Sequence, residues 1–191
     1  AHLNSYFESL GTSPAVSKVF VVDSTGTMES TVREKIGDRL AGYEQSVAAF
    51  AGQEFPLAVV SLEAHHAPAY VEACLKAGCH VLAEKPSCAN VAEFEALADV
   101  ARTTGKQLML AFANRATQHI IEIRQIIREH LGKVYGVECH TVADQTRVQR
   151  QGSPPHWLFQ KEKTGGGHLI WLGIHAVDWI HFVADSVMSE V

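Results

Sequence analysis

Long apolar runs are absent from this 191-residue sequence. None approaches the ~20 residues that a bilayer-spanning helix needs, so no transmembrane helix is expected. Positive charge is also short: 16 Lys and Arg stand against 21 Asp and Glu, a net charge of −5. With no basic cluster to neutralise phosphates, nucleic-acid binding is not expected. Cysteine is confined to Cys74, Cys79, Cys88 and Cys139, with neither a C-x-x-C pair nor a zinc-ligand spacing. Cys74 and Cys79 sit among apolar residues, where a free thiol acts as a small hydrophobe. A reducing, cytoplasmic setting is expected. No secretory leader opens the chain, but the first residue is Ala1 rather than Met, so an exported form stays open. No H-E-x-x-H is present, and no metal site is expected.

What is present is an ordinary globular composition, 47% hydrophobic and 19% charged. Short β-branched runs alternate with longer amphipathic stretches, the pattern of a parallel α/β sheet. Strands are expected at Lys18–Asp23, weakly near Leu40, and at Leu57–Leu62, Cys79–Ala83 and Gln107–Ala111. Helices are expected over His2–Leu10, Thr27–Ile36, from after Leu40 through Phe50, over Ala67–Ala77 and from Asn90 to Thr103. Gly78 supplies a C-terminal stop, and Asn90 with Glu93 has capping-box spacing. Beyond these come a helix over Thr117–His130, a longer strand over Lys133–Val142, and a polar loop from Ala143 to Gly167. An apolar helix over His168–Ala184 closes the pattern, with Leu169, Ile170, Ile174 and Val177 expected inside. The fold class is thus α/β: a Rossmann-type parallel sheet lacking its first strand, over residues 1–118. Residues 119–191 would begin a C-terminal α/β domain with an open sheet. A helix with no strand before it opens the chain, so the sequence reads as a fragment truncated at both ends.

Three places could carry chemistry. Asp23 ends a buried strand, where an acid can accept hydrogen bonds from both ribose hydroxyls of NAD; the alternative is a turn or cap acid, and no G-x-G-x-x-G precedes it. Glu84, Lys85 and Pro86 directly follow another strand. Open α/β sheets bind ligands at that edge, and a partly desolvated Lys exchanges protons more readily. Pro86 restricts Lys85 to extended geometry. Gly165, Gly166 and Gly167 then lead into a helix on which His168, Trp171, His175 and Asp178 are spaced 3, 4 and 3 apart and share a face. His65, His119 and His140 fit no metal pattern and read as structural or surface residues.

The runs Gly78–Pro86, Ala111–Arg115 and Gly165–Asp178, in this order and spacing, resemble the glucose–fructose oxidoreductase/inositol 2-dehydrogenase (Gfo/Idh/MocA) family. The resemblance implies an N-terminal Rossmann domain binding NAD, with NADP possible, and a C-terminal domain carrying the site for a sugar-like substrate. It also implies a homo-oligomer at full length. By position it implies Lys85 and His175 as catalytic residues, with His175 taking the hydroxyl proton and Lys85 polarising the oxygen or sharing the proton relay. Asp23, Ser61, Leu62, Glu63, His66, Glu84, Lys85 and Asn114 would contact the cofactor. Trp157, His168, Trp171 and Asp178 would contact the substrate. Two departures stand out. Trp171 occupies the position, four residues before His175, where many relatives carry an Asp that would orient the imidazole. Trp171 could stack on a ring instead, and Asp178 could serve as the orienting acid. The turn Ser61–His66 lacks the usual Pro, and His66 falls about one residue out of register.

The resemblance implies an NAD(P)-dependent oxidoreductase acting on sugar- or cyclitol-like compounds. Two alternatives remain: an NAD-dependent glycoside hydrolase of the same family, and a non-catalytic dinucleotide-binding protein.

Overall fold

The computed structural model describes residues 3–50, 52–142 and 157–189. Its elements run α1 (Leu3–Thr12), β1 (Val19–Val22), α2 (Glu29–Ile36), β2 (Leu40–Glu44), β3 (Leu57–Val60), α3 (Ala67–Lys76), β4 (His80–Ala83), α4 (Val91–Thr104), β5 (Leu108–Leu110), α5 (Gln118–Ile126) and α6 (Ile174–Ala184). Among these residues no helix is long and apolar enough to cross a membrane.

All strand pairs are parallel, β1 with β2, β3 with β4 and β4 with β5. They form two sheets, β1-β2 and β3-β4-β5, and β1 does not pair with β3. On the doubly wound order 3-2-1-4-5-6, β2 and β1 take positions three and two, and β3, β4 and β5 take four to six. No described strand fills position one, which agrees with the expected Rossmann-type sheet without its first strand.

Two apolar clusters hold the layers. α3 and α4 press Val71, Leu75, Leu97 and Ala101 onto Val60, Val81 and Ala83 of the larger sheet. α1 and α2 press Phe7, Val32 and Ile36 onto Val19 and Val21. Leu75, Val71 and Val32 are wholly buried, each a contribution of about 1.5–3 kcal/mol before chain entropy is counted. Local signals agree with this packing. Asn90 Oδ1 accepts from the Glu93 N–H at 2.9 Å, and Glu93 Oε2 accepts from the Ala89 N–H at 2.9 Å, so α4 is capped reciprocally. Gly78, at φ +90°, ends α3 as expected.

Gly11 marks a tight approach of α1 to α2, because a Cβ there would sit on the carbonyl oxygen of Lys35. Gly11→Ala should therefore destabilise the protein by about 1–3 kcal/mol, the usual cost of overpacking. An unchanged denaturation midpoint would contradict that contact.

Several expectations need correction. The helix expected through Phe50 is a single 3₁₀ turn, Val47–Phe50, and Phe50 packs with Phe20 and Phe55 at ring separations of 6.0–6.3 Å. The strand expected over Lys133–Val142 is unpaired chain, with Tyr135 89% and Val142 100% exposed. Alternation alone does not make a strand without a neighbouring ladder, and no described segment supplies one. Among the described residues, the part after Ala111 holds helices and turns and no strand. Residues 143–156 of the expected loop lie outside the described residues; the rest holds a turn at Trp157–Phe159 and a helical turn at Lys161–Thr164. The final helix begins as a wide π turn, Leu169–Gly173, before α6. Leu169 is 69% exposed rather than inside.

Candidate active site

Lys85 leaves the carboxyl end of β4 into the protein, and only 5% of it is exposed. Its Nζ donates to the carbonyl of Trp171 at 2.7 Å and lies 4.5 Å from the centre of the Trp171 ring. Trp171 lies in the π turn, where i→i+5 spacing widens the ladder; such turns occur often at functional sites. One helical turn further on, at the start of α6, is His175. Burial pushes the Lys85 pKa below its ordinary value, and the Glu84 carboxylate opposes this. Glu84 is itself held: Oε1 accepts from Tyr6 of α1 at 2.7 Å and Oε2 from the Lys85 N–H at 3.2 Å. Burial and the Glu84 carboxylate together raise the Tyr6 phenol.

A line of aromatic rings extends from this lysine. Trp157 meets Trp171 edge-on at 5.4 Å, and His65 lies 6.3 Å from Trp157 and 4.0 Å from His66. His65 Nε2 is 3.5 Å from Glu63 Oε2. Burial and the neighbouring His66 lower the His65 pKa, with Glu63 acting in the other sense and Lys163 adding to the fall. Spacing alone shows no metal pattern in this turn, but one ligand atom each from Glu63, His65 and His66 lies within 4.8 Å of the others.

His175 packs edge-on against Phe112 at 6.2 Å. Asp178, one turn further along α6, is held by an arginine. Both carboxylate oxygens of Asp178 are taken by Arg115, Nε to Oδ2 at 2.8 Å and the second through Nη2. Arg115 in turn lies against the rings of Phe112 and Phe182. The ion pair ties α6 to the segment after β5. His168 is exposed, and so is Asn114; the Asn114 carbonyl accepts from the Thr117 hydroxyl at 2.7 Å. Gly165, at φ +73°, does need to be glycine: a Cβ there would meet the carbonyl oxygen of Ala89. The close approach at this glycine is made by the chain after Pro86.

Asp23 stands at the end of β1. Its oxygens accept from the Thr25 N–H and hydroxyl at 3.0 and 2.7 Å, the Met28 N–H at 2.9 Å and the Tyr43 hydroxyl at 2.6 Å. Partial burial pulls its pKa up, but the hydrogen bonds from Tyr43, Thr25 and Met28 outweigh this and bring it to about 2. The folded carboxyl thus titrates below its ordinary 3.8, so its contribution to stability is complete above that value and is lost as pH falls towards 2. Tyr43→Phe should lower stability by about 1 kcal/mol at neutral pH and shrink the loss in this acid window. Identical acid-unfolding curves for both proteins would contradict the assignment.

The all-parallel strands, with a buried lysine at a strand's carboxyl end, define the class of fold as Rossmann-type α/β. Residues 4–112 match the family described as "Oxidoreductase family, NAD-binding Rossmann fold", and residues 120–191 match the "GFO/IDH/MocA C-terminal domain". The chain belongs to the Gfo/Idh/MocA family. It is similar to D-glucoside 3-dehydrogenase of Escherichia coli K12, at 30% identity over 167 residues, covering 86% of this chain and 46% of that protein. Among solved structures, an oxidoreductase domain protein from Kribbella flavida aligns with TM-score 0.73 at 25% identity, covering 87% of this chain and 43% of that one. A levoglucosan dehydrogenase, in complex with NADH and levoglucosan, aligns with TM-score 0.76 at 17% identity, covering 94% and 49%. The chain therefore spans less than half the length of these relatives.

Proposed function

We propose that the intact protein transfers a hydride between NAD and a hydroxyl- or keto-bearing carbon of a sugar- or cyclitol-like substrate. The observation that carries this is Lys85: a buried ammonium at a strand's carboxyl end, seated on the helix that bears His175.

The cofactor fits the edge where open α/β sheets bind dinucleotides. Asp23, Ser61–Glu63 with His66, Glu84–Lys85 and Asn114 follow the carboxyl ends of β1, β3, β4 and β5 respectively. Asp23 would hold the ribose only by exchanging some of its four present donors, most readily the exposed Thr25. An anionic carboxylate at that position favours NAD over the phosphorylated NADP. When bound, the nicotinamide supplies the hydride acceptor. Lys85 has three N–H donors, of which one is given to Trp171, leaving others for the substrate oxygen. His175 would receive the hydroxyl proton. The crossed indoles of Trp157 and Trp171 offer flat apolar faces on which the C–H face of a pyranose or cyclitol can rest. Division of the chain near residues 118 and 119 goes with this reading, and the two family matches leave only 113–119 between them.

The test is NADH formation by the intact protein from NAD across a panel of sugars, glycosides and cyclitols. Sustained NADH formation is expected. Glycoside cleavage with no net NADH, or cofactor binding with no turnover, would overturn the proposal. With an accepted sugar, Trp171→Ala should raise KM by about tenfold or more, the scale of a lost stacking contact of 1–3 kcal/mol, with little change in the Kd of NADH. An unchanged KM would remove Trp171 from the substrate site.

A further inference from the structure

We propose that Glu63, His65 and His66 form a binding site for a divalent transition-metal ion of the zinc type, at the carboxyl end of β3. The site is built by a turn. The N–H groups of His66 and Ala67 both donate to the Glu63 carbonyl at 2.9 Å, which folds residues 63–66 tightly and sets the three side chains on one side of the loop. One ligand atom from each lies within 4.8 Å of the other two, and His65 Nε2 is already 3.5 Å from Glu63 Oε2. Zinc bonds of ~2.0–2.2 Å to nitrogen and oxygen place tetrahedral ligands ~3.3–3.5 Å apart. Closing the remaining gap takes only side-chain rotation, since His66 is exposed and the Glu63 side chain is 42% exposed. His65 is the fixed member, packed against Trp157. Its Nε2 faces Glu63 as it stands, and its buried Nδ1 makes no hydrogen bond among the described residues.

The donor set selects the metal. Two imidazoles and one carboxylate form the His₂Glu set used by zinc at sites that keep a fourth position open; hard cations such as Mg²⁺ and Ca²⁺ prefer an all-oxygen shell. Electrostatics alone do not favour a cation here. The turn leads into the N-terminus of α3, and Lys163 also acts on His65. Both oppose positive charge. An ion held by charge alone would be rejected, whereas one that forms coordinate bonds to imidazole nitrogen is held. This turn includes the residues assigned above to the cofactor, so on that reading metal and dinucleotide compete for it.

The test uses the intact protein, stripped with a chelator and titrated with Co²⁺, which develops visible d–d absorption in tetrahedral sites. One equivalent should saturate the band and Zn²⁺ should abolish it. His65→Ala and His66→Ala, each with an unchanged thermal unfolding curve, should weaken uptake more than about tenfold, the scale that outer-sphere changes alone can reach. His140→Ala, which removes a surface imidazole 2.9 Å from Glu138, should have no effect. A missing band, or one that survives loss of both His65 and His66, would overturn the site. Saturating NADH should block Co²⁺ uptake. Simultaneous binding of both would leave the metal site standing and displace the cofactor from Glu63 and His66.

Discussion

Replacing Lys85 with methionine should leave the intact protein folded and more stable, while turnover falls by about a hundred- to ten-thousand-fold. The loss is that expected for a positioned proton-transfer group. The gain in stability follows from burial. Only 5% of Lys85 is exposed, and among the described residues its ammonium meets a carbonyl and a ring face. Its depressed pKa means that protonation is harder in the folded than in the unfolded chain. Below the folded pKa this opposes folding in full, and the opposition fades as pH rises to the ordinary value of 10.5. Lys85→Met removes the penalty, so its stabilisation should be largest at neutral pH and shrink in alkali. A gain in stability with lost activity is the usual mark of a functional residue held at a structural cost. Near-normal turnover in this variant would remove Lys85 from the chemistry, and a loss of stability would show that the buried ammonium is structural.

Arg115→Leu should destabilise the protein by about 2–3 kcal/mol. Its partner Asp178 has a side chain only 5% exposed, whereas that of Arg115 is 41% exposed. Deleting the arginine strands a buried carboxylate, and removing one partner of a buried pair costs about 3–5 kcal/mol; the half-open arginine places this pair below that range. Arg115→Leu combined with Asp178→Asn should recover most of the loss, because the stranded charge is then gone. Additive losses in a double-mutant cycle would show that the pair contributes little. Because the pair anchors α6, the single variant should also weaken catalysis by releasing the helix that carries His175, and the double variant should restore part of it.

Most of the first 112 residues, the stretch from Leu40 to Phe50 apart, were legible because their signals are local. Val19–Val22, Leu57–Val60 and His80–Ala83 are short apolar runs closed by turn residues, and such runs make buried parallel strands whatever lies around them. Lys85 could be singled out for the same reason: it follows a strand by two residues and precedes a proline. What could not be read depends on partners distant in sequence. Lys133–Val142 alternates like a strand, yet pairing requires a second ladder. Asp178 lies one helical turn from His175, but it is bound by Arg115, 63 residues earlier. Asp23 has the spacing of a ribose-binding acid, and nothing in its neighbourhood announces the hydroxyl of Tyr43 from the adjacent strand. Trp171 was visible as a departure from the family pattern. That it would cover Lys85 and meet Trp157 follows only from the fold of the chain between them.

The most direct test is a crystal structure of the intact protein with NADH and a sugar that it turns over. Lys85 Nζ and a ring nitrogen of His175 should both lie within hydrogen-bonding distance of one substrate oxygen, on the carbon that faces the nicotinamide. A substrate bound in contact with that ring but out of reach of both side chains would contradict the account.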